Sequence, residues 1–441
     1  MKINQAVRNI VLPAVGLMTA SSAMGAELVA PSEQYPTIRS AMTSAEDGDV
    51  VTVLPGVHVE DFWMTGSDGC RSFTLRGTGH PSQTVLKRTG SGRFSVSGSV
   101  CGEDRRDSVR YTIENLTFEA NASRSRFKDG LNISHCTVTF RNCDFRNITS
   151  HYFQGQRPRG SDSHGALEIY NCNAHFEHCN FVGNGVTYTR QTYLSSIQGG
   201  AIWAFDSDLE ILNSAFLGNY VRTTDGNGAQ AATTAALGGA VYARKGSLYI
   251  EDSRFEANSV SDLLGMTRPD QLRGGAVYAE SLDLVRLRNN VFRGNRAESS
   301  VSSKWNVGMG GAVFITNADS NEAAYTVGNT FIQNHADHTG GAIHGEGAAL
   351  LKASGDYYEC NTVTQVSGSW LDRGGNAFVE CDPACMADVN ADGSVDKADL
   401  IEVINHFGPA KDGSPYDLNG DGVVDYNDFF LVLSTLGGCD K

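Results

Sequence analysis

One hexapeptide, GGAVYA, occurs twice in this chain, at residues 238–243 and again at residues 274–279. The same interval of 36 residues separates Cys136 from Cys172 and Cys143 from Cys179. A fixed period of this length indicates stacked structural units that bury a core only together. The repeat therefore constrains the fold more than any other feature of the sequence.

Two signals define each unit, and the distance between them varies little. A GGA-like signal begins further units in HGALEI at His164, GGAIWA at Gly199, GGAVFI at Gly310, GGAIHG at Gly340 and GGNAFV at Gly374. An aromatic–x–x–Asn signal follows, with its aromatic residue at Phe181, Phe216, Phe255, Phe292, Phe331 and Tyr358. The segment from that Asn to the next GGA varies in length. We therefore expect a constant core unit and loops of free length.

The residues after the glycines alternate with period two, which indicates β-strands. The second and fourth positions are apolar or small and are predicted to point inward. The third position is predicted to point outward and forms an aromatic column: Trp203, Tyr242, Tyr278, Phe314 and His344. A second strand is predicted before each aromatic–x–x–Asn signal, as in LEIL, LYIE and LVRL, with inward pairs such as Leu209/Ile211.

These patterns predict an all-β chain wound into a right-handed parallel β-helix, a solenoid of about ten coils with like residues about 4.8 Å apart. An Asn or Asp lies three residues before the aromatic residue at Asn115, Asn142, Asn213, Asp252 and Asn289, with His178 as the exception. Because Asn tolerates left-handed backbone, this column is predicted to mark a corner. The Asn of aromatic–x–x–Asn is predicted to form a second column, and the glycines to make a tight bend in each coil.

Two family resemblances support this fold. Residues 35–61, YPTIRSAMTSAEDGDVVTVLPGVHVED, resemble the opening of pectate-lyase-like β-helix domains, which implies a short capping helix before the first strand. The GGA[IV] and F-x-x-N pair resembles the repeats of polymorphic outer-membrane autotransporters over roughly residues 130–380. That family contains surface adhesins, but no outer-membrane barrel is recognised after the repeats of this chain. Adhesion is therefore one option among several.

The amino end resembles a signal peptide. Lys2 and Arg8 are basic, residues 10–20 are apolar, and SSAMGA offers small residues for cleavage near 23–26. A buried amino-terminal helix is the alternative. Residues 1–26 are predicted to direct export, so the protein is expected to be secreted or at the cell surface. No transmembrane segment is predicted. An oxidising compartment would permit disulfides among the ten cysteines.

The carboxyl end contains two calcium loops, DVNADGSVDKAD and DLNGDGVVDYND. Oxygen ligands at positions 1, 3, 5, 7, 9 and 12, with Gly at position 6, suit Ca²⁺. The predicted ligands of the first loop are Asp388, Asn390, Asp392, the Ser394 carbonyl, Asp396 through water, and Asp399. Those of the second loop are Asp417, Asn419, Asp421, the Val423 carbonyl, Asp425 through water, and Asp428. The alternative is a pair of Asp/Asn-rich turns without a metal.

Each loop leads into one amphipathic segment, and the pair resembles a type I dockerin. The resemblance implies a cohesin-like or cell-surface protein partner. The Ser/Thr residues with which that family often recognises its partner are replaced by Lys397-Ala398 and Tyr426-Asn427. Residues 382–441 hold twelve acidic residues and three lysines, so two Ca²⁺ ions are expected to be structural. Residues 27–381 are assigned to the β-helix and 382–441 to the dockerin-like domain.

No catalytic cluster is convincing in the outward columns, and no catalytic residue is assigned. The best candidate is the loop from His151 to Gly165, for which solvated surface charges are the favoured interpretation. The aromatic column is the better-founded ligand site, because exposed rings stack on sugars or anchor a protein partner. The alternative is that the long loops fold over this column and make it a secondary core.

Three functional classes remain. The favoured one is an exported, non-catalytic binding or adhesion protein with a polysaccharide or matrix ligand on the β-helix. A polysaccharide lyase or glycoside hydrolase acting on an acidic or plant/algal polysaccharide is the alternative, and a purely structural spacer is the third. No nucleic-acid partner is expected.

Overall fold

The backbone winds into coils whose strands lie directly above one another. In the computed structural model Val241 pairs with Val277 and Tyr242 with Tyr278, so the two GGAVYA copies occupy adjacent coils, as predicted. The structure describes residues 25–65, 70–88, 94–98, 109–120, 130–152, 165–190, 196–225, 235–262, 271–299, 308–317, 323–347, 350–379, 387–390, 392, 394–410, 414–418 and 423–438. The predicted signal peptide lies almost entirely outside these residues.

Three strands form each regular coil. The first and second strands together build a 20-stranded sheet, and the third strands build an 11-stranded sheet. Two long strands, Ile202–Leu212 and Val241–Glu251, serve as first and second strand at once. The other first strands are Phe62–Thr65, Phe94–Ser97, Leu131–Ser134, Leu167–Tyr170, Val277–Glu280, Val313–Asn317, Ile343–Gly347 and Val366–Gly368. The other second strands are Glu27–Ala30, Val50–Val53, Phe73–Gly77, Arg110–Glu114, Thr137–Arg141, Asn173–Glu177, Leu284–Arg288, Ala323–Val327, Leu351–Ser354 and Trp370–Asp372.

The aromatic residues of the aromatic–x–x–Asn signals, from Phe181 to Tyr358, lie in six of the eleven third strands. The third strands are Gly56–Val59, Thr84–Lys87, Thr117–Glu119, Asp144–Arg146, Asn180–Val182, Ala215–Leu217, Arg254–Glu256, Val291–Arg293, Thr330–Ile332, Tyr357–Glu359 and Ala377–Val379. Their rings point into the coil and stack with centroids 4.5–5.1 Å apart from Phe118 to Phe378. This sheet has eleven strands, whereas the sequence predicted about ten coils.

The segments predicted as variable loops contain further strands. A six-stranded sheet comprises Thr149–Tyr152, Gly185–Arg190, Tyr220–Asp225, Ser259–Asp262, Arg296–Ser299 and His335–Ala336. A four-stranded sheet comprises Ser196–Gln198, Ala235–Leu237, Gln271–Arg273 and Gly308–Met309. These two sheets, which we call the arm, bury a separate apolar cluster that includes Val221, Val260 and Leu272. The arm therefore packs beside the first strands of its coils.

The predicted corners are confirmed by the backbone. The Asn/Asp column has positive φ at every position that the sequence pattern indicated, from 48° at Asn213 to 58° at Asn115, and the exceptional His178 shares it at 54°. The second column forms a buried amide ladder in which each side-chain oxygen accepts from the preceding rung, as when Asn219 Nδ2 donates to Asn258 Oδ1 at 2.9 Å. These bonds satisfy polar groups that burial would otherwise leave costly.

A second ladder of hydrogen-bonded side chains, which includes Asn329, runs beside the first. It contains the ionisable residue Asp356. It accepts from Thr326 Oγ1 at 2.6 Å and from the Asn329 backbone N–H at 2.7 Å. Burial, which outweighs these hydrogen bonds, raises the pKa of this carboxyl. A raised folded-state pKa means that stability is lost as the pH rises through that pKa. The charged form therefore destabilises the coil at neutral pH.

We expect Asp356→Asn to raise the unfolding midpoint at pH 7, with a gain over the wild type that shrinks as the pH falls and Asp356 becomes protonated in both states. Asp252→Asn is the matched control, because Asp252 occupies an exposed corner rung. Chemical unfolding at several pH values measures the difference. A gain that grows towards acid would contradict this interpretation.

The amino-terminal helix α1 (Ile38–Ser44) caps the solenoid and buries Ile38, Ala41 and Met42. This confirms the capping helix that the resemblance implied, and a 3₁₀ turn at Pro81–Gln83 follows. Helices α2 (Lys397–Asn405) and α3 (Tyr426–Ser434) lie in the carboxyl-terminal segment. Two short antiparallel pairs join Ser394–Val395 to Gly437–Gly438 and Gly408–Pro409 to Val423–Val424. None of the helices in the described residues has the length and apolarity to cross a membrane.

Candidate functional site

The outward side chains of the second strands form one continuous row across the coils. In-register pairing places one row residue above the next: Thr139, His175, Glu210, Tyr249, Arg286, Tyr325 and Lys352. Strand spacing separates neighbours by about 4.8 Å. We call this set the outward row. Its two ends differ in chemistry.

The end near the amino-terminal coils lines an open cavity of about 270 Å³. His175 Nδ1 and Glu210 Oε2 lie 2.6 Å apart across adjacent coils. Arg141 Nε donates to Glu177 Oε2 at 3.2 Å in the same cavity. Adjacent coils thus bring acidic, basic and imidazole side chains together in a groove that the sequence motifs did not reveal.

The other end is basic and aromatic. The Arg286 guanidinium lies 5.9 Å from the Tyr325 ring centroid, and Lys352 Nζ lies 4.9 Å from it on the following coil. Lys352 Nζ also donates to the Tyr325 hydroxyl at 3.4 Å. Arg288, which faces outward two residues along, pairs with Glu251 at 3.0 Å. Within the described residues no carboxylate forms an ion pair with Arg286 or Lys352.

The predicted aromatic column is stacked but covered. Its ring centroids are 6.4 Å apart between Trp203 and Tyr242 and 5.3 Å apart between Tyr278 and Phe314. Trp203, Tyr242, Tyr278 and Phe314 are 6, 1, 4 and 0% exposed. Leu237, Ala235 and Met309 of the arm pack against them. The aromatic column is therefore a secondary core, which is the second of the two alternatives. The prediction that the column is exposed was wrong.

His344 ends this column and is only partly buried. Its ring lies 5.0 Å from Phe314, and its Nδ1 contacts Ser367 Oγ at 2.8 Å. Burial lowers the pKa of His344. A ligand role for these five residues stays a prediction, and the outward row offers the more accessible surface.

The first predicted calcium loop folds around its own carboxylates. Asp392 N–H donates to Asp388 Oδ1 at 3.1 Å and to Asn390 Oδ1 at 2.8 Å. The Asn390 and Asp396 backbone N–H groups donate to the Asp399 carboxylate at 3.2 and 2.8 Å. Ser394 N–H donates to Asp392 Oδ1 at 3.0 Å. All six predicted positions of this loop lie in the described residues and are linked by these short contacts.

The second loop repeats the arrangement where it is described. Asp425 N–H donates to Asp428 Oδ2 at 2.8 Å, which matches the bond between Asp396 and Asp399. Asp417 and Val423 are described, whereas Asn419 and Asp421 lie outside the described residues. Asp399 and Asp428 are both 0% exposed. Two fully buried carboxylates facing acidic loops fit a bound divalent cation, because a buried anion requires compensating charge.

The core of the carboxyl-terminal segment is small. Within its described residues it consists of five buried aliphatic side chains, Ala387, Val395, Val403, Val424 and Val432, with six partly buried apolar side chains packed against them. The loops must therefore supply much of the stability of that segment.

The loop candidate between the strands Thr149–Tyr152 and Leu167–Tyr170 is only partly described. His151 and Gly165 are described, but Arg157, Arg159, Asp162 and His164 lie outside the described residues. No role is assigned to this loop.

Comparison with known proteins finds a family model for each of the two parts of the chain. A family model described as the right handed beta helix region matches residues 104–336. A model of the dockerin type I domain matches residues 386–437. No curated protein matches the chain.

Several solved structures match the chain at low identity. An alginate lyase from Paenibacillus sp. str. FPU-7 is 13% identical, with 80% of this chain and 98% of that chain covered and a TM-score of 0.30. A lacto-N-biosidase from Eubacterium ramulus is 11% identical, with 81% and 68% covered and a TM-score of 0.35. The A-module of a mannuronan C-5 epimerase from Azotobacter vinelandii is 14% identical, with 78% and 95% covered and a TM-score of 0.25.

The family model of the β-helix covers more than half of the chain, and the parallel ladders agree with it. The chain therefore belongs to the right-handed β-helix family and carries a calcium-binding type I dockerin domain.

Proposed function

We propose that this chain is an exported, non-catalytic binding protein that holds an acidic polysaccharide on the outward row and is tethered through its dockerin domain. The observation that carries the proposal is the basic and aromatic end of the row, where Arg286 and Lys352 flank Tyr325. These three side chains come from three consecutive coils.

The chemistry of this end suits a sugar ring that bears a carboxylate. An aromatic face packs against the C–H face of a pyranose, and arginine and lysine form charge-assisted hydrogen bonds with carboxylates. The whole chain has a formal net charge of −15, so long-range attraction does not recruit a polyanion. Recognition must therefore come from direct contact with cations such as Arg286 and Lys352, for which the described part of the chain supplies no ion-paired carboxylate.

The spacing of the row favours a polymer over a small molecule. Row residues repeat once per coil, at about 4.8 Å along the solenoid axis. A polysaccharide lying along that axis would place successive sugars over successive coils. The row also runs on past Tyr249 to Glu210 and His175, which gives a long surface with hydrogen-bonding groups on every coil.

The double variant Arg286→Ala/Lys352→Ala is expected to bind polygalacturonate about thirtyfold more weakly than the wild type, because it removes two charge-assisted hydrogen bonds of about 1 kcal/mol each at an exposed site. Titration calorimetry of the full chain in calcium measures the affinity. Arg254→Ala is the matched control, because Arg254 is exposed on the third-strand sheet and pairs there with Glu256 at 3.4 Å. Equal affinity in the double variant and the wild type would refute the proposal.

A second candidate, a polysaccharide lyase or glycosidase, is favoured by the His175–Glu210 contact in the cavity. A histidine held by a carboxylate is a common general base. New unsaturated or reducing ends, released by the wild type and lost in His175→Gln, would establish it. His178→Gln is the matched control, because His178 is an exposed histidine 4.0 Å from Glu177. Product formation would replace the non-catalytic proposal.

The dockerin part of the proposal has two components. We assign one Ca²⁺ ion to each loop, with the ligands predicted from the sequence, and a cohesin-like or cell-surface protein as the partner. The helices expose apolar side chains for such a contact, including Ile401, Ile404, Phe430 and Leu433.

We also place the mature amino end after residues 1–26 and the boundary between the two domains at 381/382. Amino-terminal sequencing of the exported protein tests the first of these positions.

A further inference from the structure

Two pairs of cysteines occupy equivalent positions on adjacent coils. Cys136 precedes Thr137, which pairs with Asn173 after Cys172, and Cys143 precedes Asp144, which pairs with Asn180 after Cys179. All four are fully buried thiols. The Sγ atoms of Cys136 and Cys172 are 3.9 Å apart. The offset of 36 residues in the sequence therefore becomes contact between coils.

The backbone geometry permits a covalent bond in each pair. In-register neighbours on parallel strands have Cα atoms about 4.8 Å apart. Disulfides span Cα distances of about 4.4–6.8 Å, so the separation of in-register neighbours lies within the range that a disulfide requires. Cys70 and Cys360 are disulfide-bonded in the same chain. The fold is thus compatible with oxidising conditions.

We propose that Cys136–Cys172 and Cys143–Cys179 close into two disulfides between coils as the exported chain folds; this rests on the export part of the proposed function. In each pair two S–H bonds break and one S–S bond forms. The two electrons and two protons pass to a disulfide of a thiol–disulfide oxidoreductase, which is reduced to its dithiol. The bonds add a modification site to the β-helix.

The two bonds would bracket the floor of the cavity. Cys136 and Cys143 flank the strand Thr137–Arg141, and Cys172 and Cys179 flank Asn173–Glu177. Those strands carry Arg141, His175 and Glu177. Disulfides at both ends fix the register of the two coils, so the charged groups keep their relative positions.

The reactivity of the four thiols indicates when the disulfides form during folding. Contact with Cys172 together with burial raises the pKa of Cys136, and burial together with Cys179 raises the pKa of Cys143. The thiolate is the reactive form, so the folded thiols react slowly. We therefore expect the four cysteines to be oxidised before the coils pack together. Once the β-helix has folded, reduction of the two disulfides is expected to require its unfolding.

Peptide mapping of the exported full chain tests the inference without any variant. The protein is expressed with an export signal into an oxidising compartment, denatured without reductant, alkylated and digested. We expect cross-linked peptides that join residue 136 to 172 and 143 to 179, each lighter by two hydrogens than the reduced pair. Alkylation of these four cysteines would overturn the inference whatever the state of the others.

A second measurement tests the stabilising role. Reduction is expected to lower the thermal midpoint of the wild type more than that of a variant with all four cysteines changed to Ala, because the variant keeps only the other bridges. An equal loss on reduction in both would overturn the inference. Polygalacturonate binding is measured on the same samples, so failure of the bridges and failure of the proposed function are separable. Alkylated Cys70 and Cys360 would in addition contradict export.

Discussion

Gly275→Ala is expected to destabilise the β-helix by about 3 kcal/mol, at the upper end of the cost of overpacking. A Cβ atom at this position would lie 2.0 Å from the Gly311 carbonyl oxygen and 2.5 Å from that of Arg296. Both are backbone atoms of neighbouring strands and turns, so neither can rotate away. The same contact recurs down the column, where a Cβ on Gly239 would lie 2.0 Å from the Gly275 oxygen.

Gly294→Ala is the matched control, because Gly294 has a positive φ of 61° but no neighbouring atom within 4 Å of the point that a Cβ would occupy. Its cost is limited to left-handed strain of about 1–2 kcal/mol. The midpoints of urea unfolding, followed by circular dichroism, give the two values. If Gly275→Ala unfolds no earlier than Gly294→Ala, the close approach of the coils at the GGA corner is disproved.

Removal of calcium is expected to unfold the dockerin domain and leave the β-helix intact. The domain has a small apolar core and two helices of nine residues, which are too short to be stable alone. Asp399 and Asp428 are fully buried and belong to a segment with twelve acidic residues and three lysines. At a thousandfold excess over its dissociation constant, each ion stabilises the folded form by about 4 kcal/mol.

Chelation with EGTA should therefore abolish the contribution of helices α2 and α3 to the circular dichroism signal and the chemical-shift dispersion of residues 387–438. Asp399→Asn should weaken calcium binding at the first loop, because it removes a charge from position 12. Glu402→Gln is the matched control on helix α2, because Glu402 faces His406 at 3.8 Å outside the loop. A circular dichroism signal and chemical-shift dispersion of helices α2 and α3 that survive chelation would show that the loops fold without metal.

The repeat made the solenoid predictable because its corners demand particular residue types. Gly at the GGA bend and Asn at the positive-φ corner are local requirements, so each coil displays them in the sequence. The inward alternation of Leu209/Ile211 and Val285/Leu287 is likewise local, and these side chains are buried as predicted. Calcium binding was predictable for the same reason, since the ligands of each loop lie within twelve residues.

The covering of the aromatic column was not predictable, because it depends on contacts between distant segments. The alternation of apolar and polar residues along a strand shows on which face Tyr242 lies. It does not show which segment packs against that face. The covering strands of the arm have short sequences without a motif, such as AAL at Ala235–Leu237. Their position depends on neighbouring coils through parallel pairing, which a single repeat does not encode.

The outward row was missed although its signal was present. In each of the strands LEIL, LYIE and LVRL, one residue lies between the two inward residues that defined the strand. These residues are Glu210, Tyr249 and Arg286. Aligning these middle positions would have given the row. Its division into an end of mixed charge and a basic, aromatic end becomes visible only when the later strands, whose repeat signal is weaker, are added in register.

The most direct test of polysaccharide recognition compares two forms of one polymer. The affinity of the wild-type full chain, in calcium, is measured for polygalacturonate and for the same polymer after methyl esterification, which removes the carboxylate charge and keeps the sugar rings. We expect the charged form to bind about tenfold or more tightly. Equal affinity for both forms, or binding to neither, would contradict the claim that Arg286 and Lys352 recognise an acidic polysaccharide.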